Sequence, residues 1–292
     1  MRNEQEMFDL ILNVAKEDER VRAVYMNGSR TNPNVPKDIF QDYDIVYVVE
    51  DITSFINDEG WIKIFGDLLM VQEPDKLDKG KGEEADFTKR YAYLMLFTDG
   101  NRIDLSLQSI DYMLSKIHLE PAIPLLDKNN ILPKVPDPTG VEYHVKAPTE
   151  GEYNSVTNNF WWCSQNVAKG IWRDELPYAK LMFEYTMRDA VDQMVAWWIG
   201  MQHDYQLSVG KLGKYFKNYL PKDYWKMYKN TYSNADYEHM WESIFTSAEL
   251  FRILAQDVAK YHNFNYPTKD DHSMTKYLKR VRELSGDAKG IF

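Results

Sequence analysis

Residues 44 to 49 read Asp-Ile-Val-Tyr-Val-Val, apolar and mostly β-branched apart from the acid, and a run of that composition is a strand. Side chains alternate along a strand, so Asp42 and Asp44 point the same way. Two carboxylates held side by side repel each other unless positive charge lies between them. A hard divalent cation such as Mg²⁺, with its preference for oxygen ligands, meets that need best. Asp42 and Asp44 are therefore candidate metal ligands on one face of a sheet.

A third acid is expected beside them. Tyr91–Phe97 and Arg102–Leu107 are strand-like runs, and Asp99-Gly100 between them is a two-residue hairpin signal. This register predicts Asp104 across from Met95. It turns Ile103, Leu105 and Leu107 toward a core and leaves Arg102, Asp104 and Ser106 on the opposite face. Upstream, a strand over 22–26 delivers the chain into Gly28-Ser29, and twelve residues separate Ser29 from Asp42. That spacer holds Asn32, Pro33, Asn34 and Pro36, which predict loop.

A Gly-Ser turn, this spacer, Asp-x-Asp on a strand and a later hydrophobic-Asp-hydrophobic strand together resemble the nucleotidyltransferase superfamily that includes DNA polymerase β. The resemblance implies that Gly28 and Ser29 hold nucleotide phosphates and that Asp42, Asp44 and Asp104 hold two Mg²⁺ ions. The residue chemistry agrees: glycine lets the backbone approach a phosphate, while neighbouring N–H groups and the Ser29 hydroxyl donate to it. Arg30 suits either a phosphate, through its planar guanidinium, or a surface ion pair.

Further motifs narrow the resemblance. Asn27-Gly-Ser-Arg-Thr-Asn32, Phe40-Gln-Asp-Tyr-Asp-Ile45, Phe160-Trp-Trp162, Asn166-Val-Ala-Lys-Gly170 and Arg173-Asp-Glu-Leu-Pro-Tyr-Ala179 are similar to the aminoglycoside 6-adenylyltransferases, also called streptomycin adenylyltransferases. That family moves AMP from ATP onto a streptomycin hydroxyl. The resemblance implies ATP as co-substrate, an aminoglycoside as acceptor, and Asp104 as the candidate base. The alternatives are an adenylyltransferase for another acceptor, such as a lincosamide or a protein side chain, and a non-catalytic nucleotide-binding protein of the same fold.

Composition bounds the rest. A chain of 292 residues, 44% hydrophobic and 27% charged, has room for two ordinary domains and is neither disordered nor fibrous. The longest apolar run, 194–201, is far short of a membrane span, and the N-terminus lacks the apolar core of a signal peptide. The single cysteine, Cys163, rules out an intrachain disulfide and suits the cytoplasm. A net charge of −10 argues against a nucleic-acid partner and favours encounter with a polycation, which aminoglycosides are. Six histidines show no ligand-like spacing, so no zinc site is expected.

Along the chain, the pattern predicts an N-terminal helix over 4–17, a short helix near 55–65, a strand over 68–72, a solvated loop over 74–90, a short helix after Ser109 and a last strand over 124–127. Pro133, Pro136, Pro138 and Pro148 mark a linker over 128–148. Beyond it Thr149 and Glu152 have capping-box spacing, and long helices are expected through 169, from 174 to 203 and from 236 to 262. The expected fold is α+β, with a mixed-sheet nucleotidyltransferase domain at 1–147 followed by a helical, substrate-binding bundle at 148–292.

Trp197, Trp198 and Trp241 lie on apolar helix stripes and are expected in the core. Trp172, with Asp174 and Glu175 beside it, offers either a flat anionic wall for a cationic sugar or an ordinary helix start. Lys169, Lys211 and Lys214 are candidates for the ATP phosphates, equally readable as surface lysines; the run Ser208–Lys214 lacks the spacing of a Walker A loop. The sequence leaves the oligomeric state undetermined.

Overall fold

The acid-bearing strand, β2 (Tyr43–Val49), lies inside a six-stranded sheet. A computed structural model describes residues 1–58, 60–136 and 138–292. Glu59 and Asp137, the latter inside the expected linker, lie outside the described residues. The other strands are β1 (Val21–Met26), β3 (Leu68–Gln72), β4 (Arg90–Phe97), β5 (Arg102–Ser109) and β6 (Ile123–Asp127). Their spatial order is β3-β4-β5-β2-β1-β6. β2 and β5 run parallel and the remaining pairs antiparallel. This is the mixed sheet that the alternation of helices and strands predicts. The chain divides into two compact units, Met1–Glu142 and Tyr143–Phe292.

Strand alternation sorts the sheet's two faces. Tyr43, Ile45 and Tyr47 of β2 and Ile103, Leu105 and Leu107 of β5 join Met7 and Ile11 of the helix Glu4–Glu17 in one core. That helix opens with a complete capping box between Asn3 and Glu6. On the opposite face Val46, Val48 and Tyr25 pack against Met113 of the helix Ile110–Lys116 and against Ile117. This smaller cluster reaches Val46 but not Asp44, so the acid end of β2 stays outside the apolar cover.

The hairpin register differs from expectation by one residue. Asp104 pairs with Leu94, and Met95 pairs with Ile103. The loop holds three residues, Thr98 to Gly100, because Phe97 N–H donates to Asn101 O at 2.9 Å and Gly100 takes φ +86°, the glycine conformation of a bulged hairpin. Asp99 braces this loop by accepting from Asn101 N–H and from Arg2. The shift matters because period-two alternation puts Leu94 on the face of Asp104 and sends Met95 into the core.

Two further differences concern helices. Pro74–Gly80 is helical where a loop is expected. None of its residues is buried, so no apolar stripe marks it; Pro74 in its first turn and the ion pair Lys76–Glu73 support it. In the second unit the expected helices are present as Glu150–Trp172, with its Thr149–Glu152 capping box, a run from Leu176 to Gln202, and Tyr237–His262 capped by Asp236. The middle run contains a π-helical turn, Phe183–Met187, that its periodicity does not reveal. Trp197, Trp198 and Trp241 are buried in the bundle core. Among the described residues, no helix is long and apolar enough to cross a membrane.

The helix Thr268–Arg282 has no counterpart in the sequence reading, because only Leu278, Val281 and Asp271 along it are buried. Asp271 anchors it: both its oxygens accept from Arg252 at 2.6 Å, and Tyr266 Oη donates at 2.8 Å. Burial pushes this carboxyl up, but the hydrogen bonds from Arg252 and Tyr266 outweigh it and hold the group below its usual value. Its stabilisation is therefore present above the unfolded carboxyl pKa and is lost as pH falls through the lower folded value. Asp271→Ala is expected to destabilise the protein by roughly 3 kcal/mol at neutral pH, by stranding Arg252 and Tyr266. Tyr266→Phe is expected to cost only about 1 kcal/mol. Urea denaturation followed by circular dichroism checks both, and equal losses would remove the carboxylate from its anchoring role.

Candidate active site

Asp44 and Asp104 are direct neighbours in the parallel β2–β5 register. Asp42 stands one residue before β2, on the same side by alternation. One carboxylate oxygen from each of the three acids lies within 4.8 Å of the others. The structure thus brings together Asp42, just before β2, Asp44 in β2 and Asp104 in β5, two segments well separated in sequence.

Gly28 sits against this cluster. Its φ is +73°, and a β-carbon built on it would lie 1.8 Å from Asp44 Oδ2. Glycine is required here to leave room for the Asp44 carboxylate as well as for its backbone angle. The turn is pinned to β2 by Asn27 N–H donating to Asp44 O at 2.9 Å. Ser29 Oγ accepts from Gln41 Nε2 at 3.2 Å. Within this first unit the Gly-Ser turn and the acids therefore form one site.

Arg30 bonds to backbone beside the site. Its Nε and Nη2 donate to the carbonyls of Asp42 and Gln41, each at 2.8 Å, Nη1 pairs with Glu4 at 3.1 Å, and the guanidinium lies 3.7 Å from the Tyr43 ring centroid. These contacts make an ion pair and a clamp that holds the entry to β2. The cation that meets the acids is Arg102, which strand alternation puts on the face of Asp104. Its Nε and Nη2 donate to the two Asp104 oxygens at 2.7 and 2.6 Å, and Nε lies 3.9 Å from Asp42 Oδ2. The signal was available, since residues i and i+2 of a strand share a face.

The donor chemistry suits a hard divalent cation. Three carboxylates converge, and the Asn27 Oδ1 and Gln41 Oε1 atoms are buried and accept no hydrogen bond from any described residue. Burial, then the charges of Asp42 and Asp104, push the Asp44 carboxyl up to about 7. Because this folded value lies above the unfolded one, the contribution of Asp44 to stability is fully present below about pH 4 and is lost as pH rises through about 7. In EDTA, Asp44→Asn is therefore expected to gain about 3 kcal/mol of stability relative to wild type on going from pH 5 to pH 8, at about 1.4 kcal/mol for each of the roughly two pH units below the folded value near 7. Thermal melts at the two pH values measure this difference, and a pH-independent gap would show that Asp44 titrates as an ordinary carboxyl.

The remaining candidates lie in the second unit. Lys211 lines a cavity of about 730 Å³ together with Lys146, Trp197, Gln193 and Tyr143. Lys214 Nζ lies 5.1 Å from the Tyr215 ring centroid, and Lys169 Nζ donates to Asn166 Oδ1 at 3.2 Å. Trp172 donates its indole N–H to Ser285 O at 3.1 Å, and Asp174, at φ +59°, accepts from Tyr237 Oη at 2.8 Å. Glu175 precedes the helix Leu176–Met182 without a side-chain cap bond. Neither Trp172 nor its acidic neighbours line the cavity that holds Lys211.

Comparison with known proteins finds relatives along nearly the whole chain. An aminoglycoside 6-adenylyltransferase of Campylobacter jejuni is 37% identical over 98% of this chain and 98% of its own length. One from Bacillus subtilis strain 168 is 38% identical over 96% of this chain and 98% of its own length. A solved aminoglycoside 6-adenyltransferase from Bacillus subtilis is 34% identical, covers 97% of this chain and 100% of its own, and gives a TM-score of 0.48. The family model described as streptomycin adenylyltransferase matches residues 1–281. With that match and two relatives similar along nearly their whole length, the chain belongs to the streptomycin adenylyltransferase family, a family of nucleotidyltransferases.

Proposed function

We propose that this protein transfers AMP from ATP to a hydroxyl of an aminoglycoside, streptomycin at its 6 position, and so confers resistance to it. The observation that carries the reading is the convergence of Asp42, Asp44 and Asp104 against the Gly28-Ser29 turn. The names of the relatives supply the acceptor class, and the net charge of −10 suits a polycationic acceptor. ATP as AMP donor puts the reaction in the cytoplasm.

Asp42 and Asp44 would hold both of two Mg²⁺ ions and Asp104 the second. When bound, such ions neutralise the triphosphate and acidify the acceptor hydroxyl. The backbone N–H groups of the Gly28 turn and the Ser29 hydroxyl donate to the phosphates, with Lys211 and Lys214 as further phosphate partners and Lys169 a weaker candidate. The acceptor oxygen attacks the α-phosphorus, its proton passes to Asp104, and the bond to the bridging oxygen breaks. Pyrophosphate leaves with that electron pair. Trp172, Asp174 and Glu175 are retained as an acceptor wall, with the charge and flat surface a cationic sugar needs.

Mass spectrometry of streptomycin after incubation with the protein, Mg²⁺ and ATP tests the proposal. A gain of one AMP, absent with Asp42→Asn, is the expected result. No gain, with Mg²⁺-dependent ATP binding intact, would discard the aminoglycoside and turn the search to other acceptors.

A further inference from the structure

Arg102 pairs with one of the three clustered acids, Asp104, and borders a second, Asp42. Its fork covers both oxygens of Asp104, at 2.7 and 2.6 Å, and the same guanidinium reaches within 3.9 Å of Asp42. A metal ion entering among the three acids needs an oxygen of Asp104, and two cations competing for one carboxylate edge exclude each other. The arrangement can open, because the Arg102 side chain is 46% exposed and makes no hydrogen bond to any other described residue. Alternation holds it on the same strand face as Asp104, two residues away, so on release it stays beside the site.

We propose that Arg102 is a resident counter-cation, displaced from Asp104 when a divalent ion binds and thereby freed to meet the phosphates of the incoming nucleotide. With no divalent ion, its positive charge offsets part of the repulsion among the acids. Once displaced, its planar set of donors matches a phosphate as well as it matched the carboxylate. The same residue thus weakens binding of the ion alone and strengthens binding of the ion together with nucleotide.

The inference rests on the reading of the three acids as metal ligands, and the test separates the two. Mn²⁺ serves as the probe, titrated into the full chain without nucleotide at pH 8 and followed by the electron paramagnetic resonance of the free ion. Arg102→Gln is expected to bind Mn²⁺ about tenfold more tightly than wild type, for the loss of one positive charge at contact range. Its KM for MgATP is expected to rise several-fold. Arg102→Lys, which keeps the charge but not the fork, should fall between the two and serves if the glutamine variant does not fold. Equal or weaker Mn²⁺ binding by the folded glutamine variant would overturn the inference while leaving the acids as ligands. Absence of Mn²⁺ binding by wild type would overturn both.

Discussion

Gly28→Ala is expected to lower kcat by at least about a thousandfold and to abolish Mn²⁺ binding in the absence of nucleotide. The added methyl would lie 1.8 Å from Asp44 Oδ2 and 2.5 Å from its Cγ, at a backbone φ of +73°. The positive φ alone costs an L-residue about 1–2 kcal/mol. The larger effect is on Asp44, which must leave its position between Asp42 and Asp104. Asn27 N–H, bound to the Asp44 carbonyl at 2.9 Å, ties turn and strand together, so the turn cannot retreat without moving β2. If Gly28 only let the backbone approach a phosphate, the alanine variant would raise KM for ATP and leave the metal site intact. Titration of Mn²⁺ into the variant decides between these roles, with Ser29→Ala as the comparison. That variant loses a hydroxyl bonded to Gln41 and is expected to raise KM for ATP with Mn²⁺ affinity unchanged.

This prediction marks where the sequence stopped being legible. Alternation and β-branched composition were enough to place Asp42 and Asp44 on one side of a strand, and to set Asp104 of β5 apart from Ile103, Leu105 and Leu107. Capping chemistry at Thr149 and the apolar stripe of the helix Tyr237–His262 were equally readable, because both are local. The position of Gly28 against Asp44 was not, since it depends on how the chain between them returns. The hairpin register slipped by one residue because Asp99-Gly100 fits a two-residue turn as well as a bulged three-residue loop, and Asp99 is held in the latter partly by a bond from Arg2, 97 residues away. Arg30 was ambiguous because a guanidinium suits carbonyls, carboxylates and phosphates alike, and its contacts with the Tyr43 ring and the Gln41 and Asp42 carbonyls appear only in the fold. The helices Pro74–Gly80 and Thr268–Arg282 bury too little for their period to show.

Asp104→Asn is expected to lower kcat by about a thousandfold or more while changing KM for ATP only a few-fold. Asparagine keeps the shape of the side chain and its place beside Asp44 in the β2–β5 register. It removes the charge and the capacity to take the acceptor's proton. Under the proposed mechanism Asp42 and Asp44 still hold the nucleotide's metal, so ground-state binding of ATP survives. Arg102 responds as well: without its bidentate partner, the nearest carboxylate is Asp42, at 3.9 Å, and pairing there would compete with metal binding to Asp42. Part of the loss in Asp104→Asn therefore comes from a misplaced cation and part from missing chemistry. The double variant Asp104→Asn with Arg102→Gln separates them. It is expected to regain Mn²⁺ affinity over the single asparagine variant but to recover no more than about tenfold in kcat, because the proton still lacks an acceptor. Full recovery of turnover in the double variant would take the general-base role away from Asp104 and leave it a purely electrostatic one.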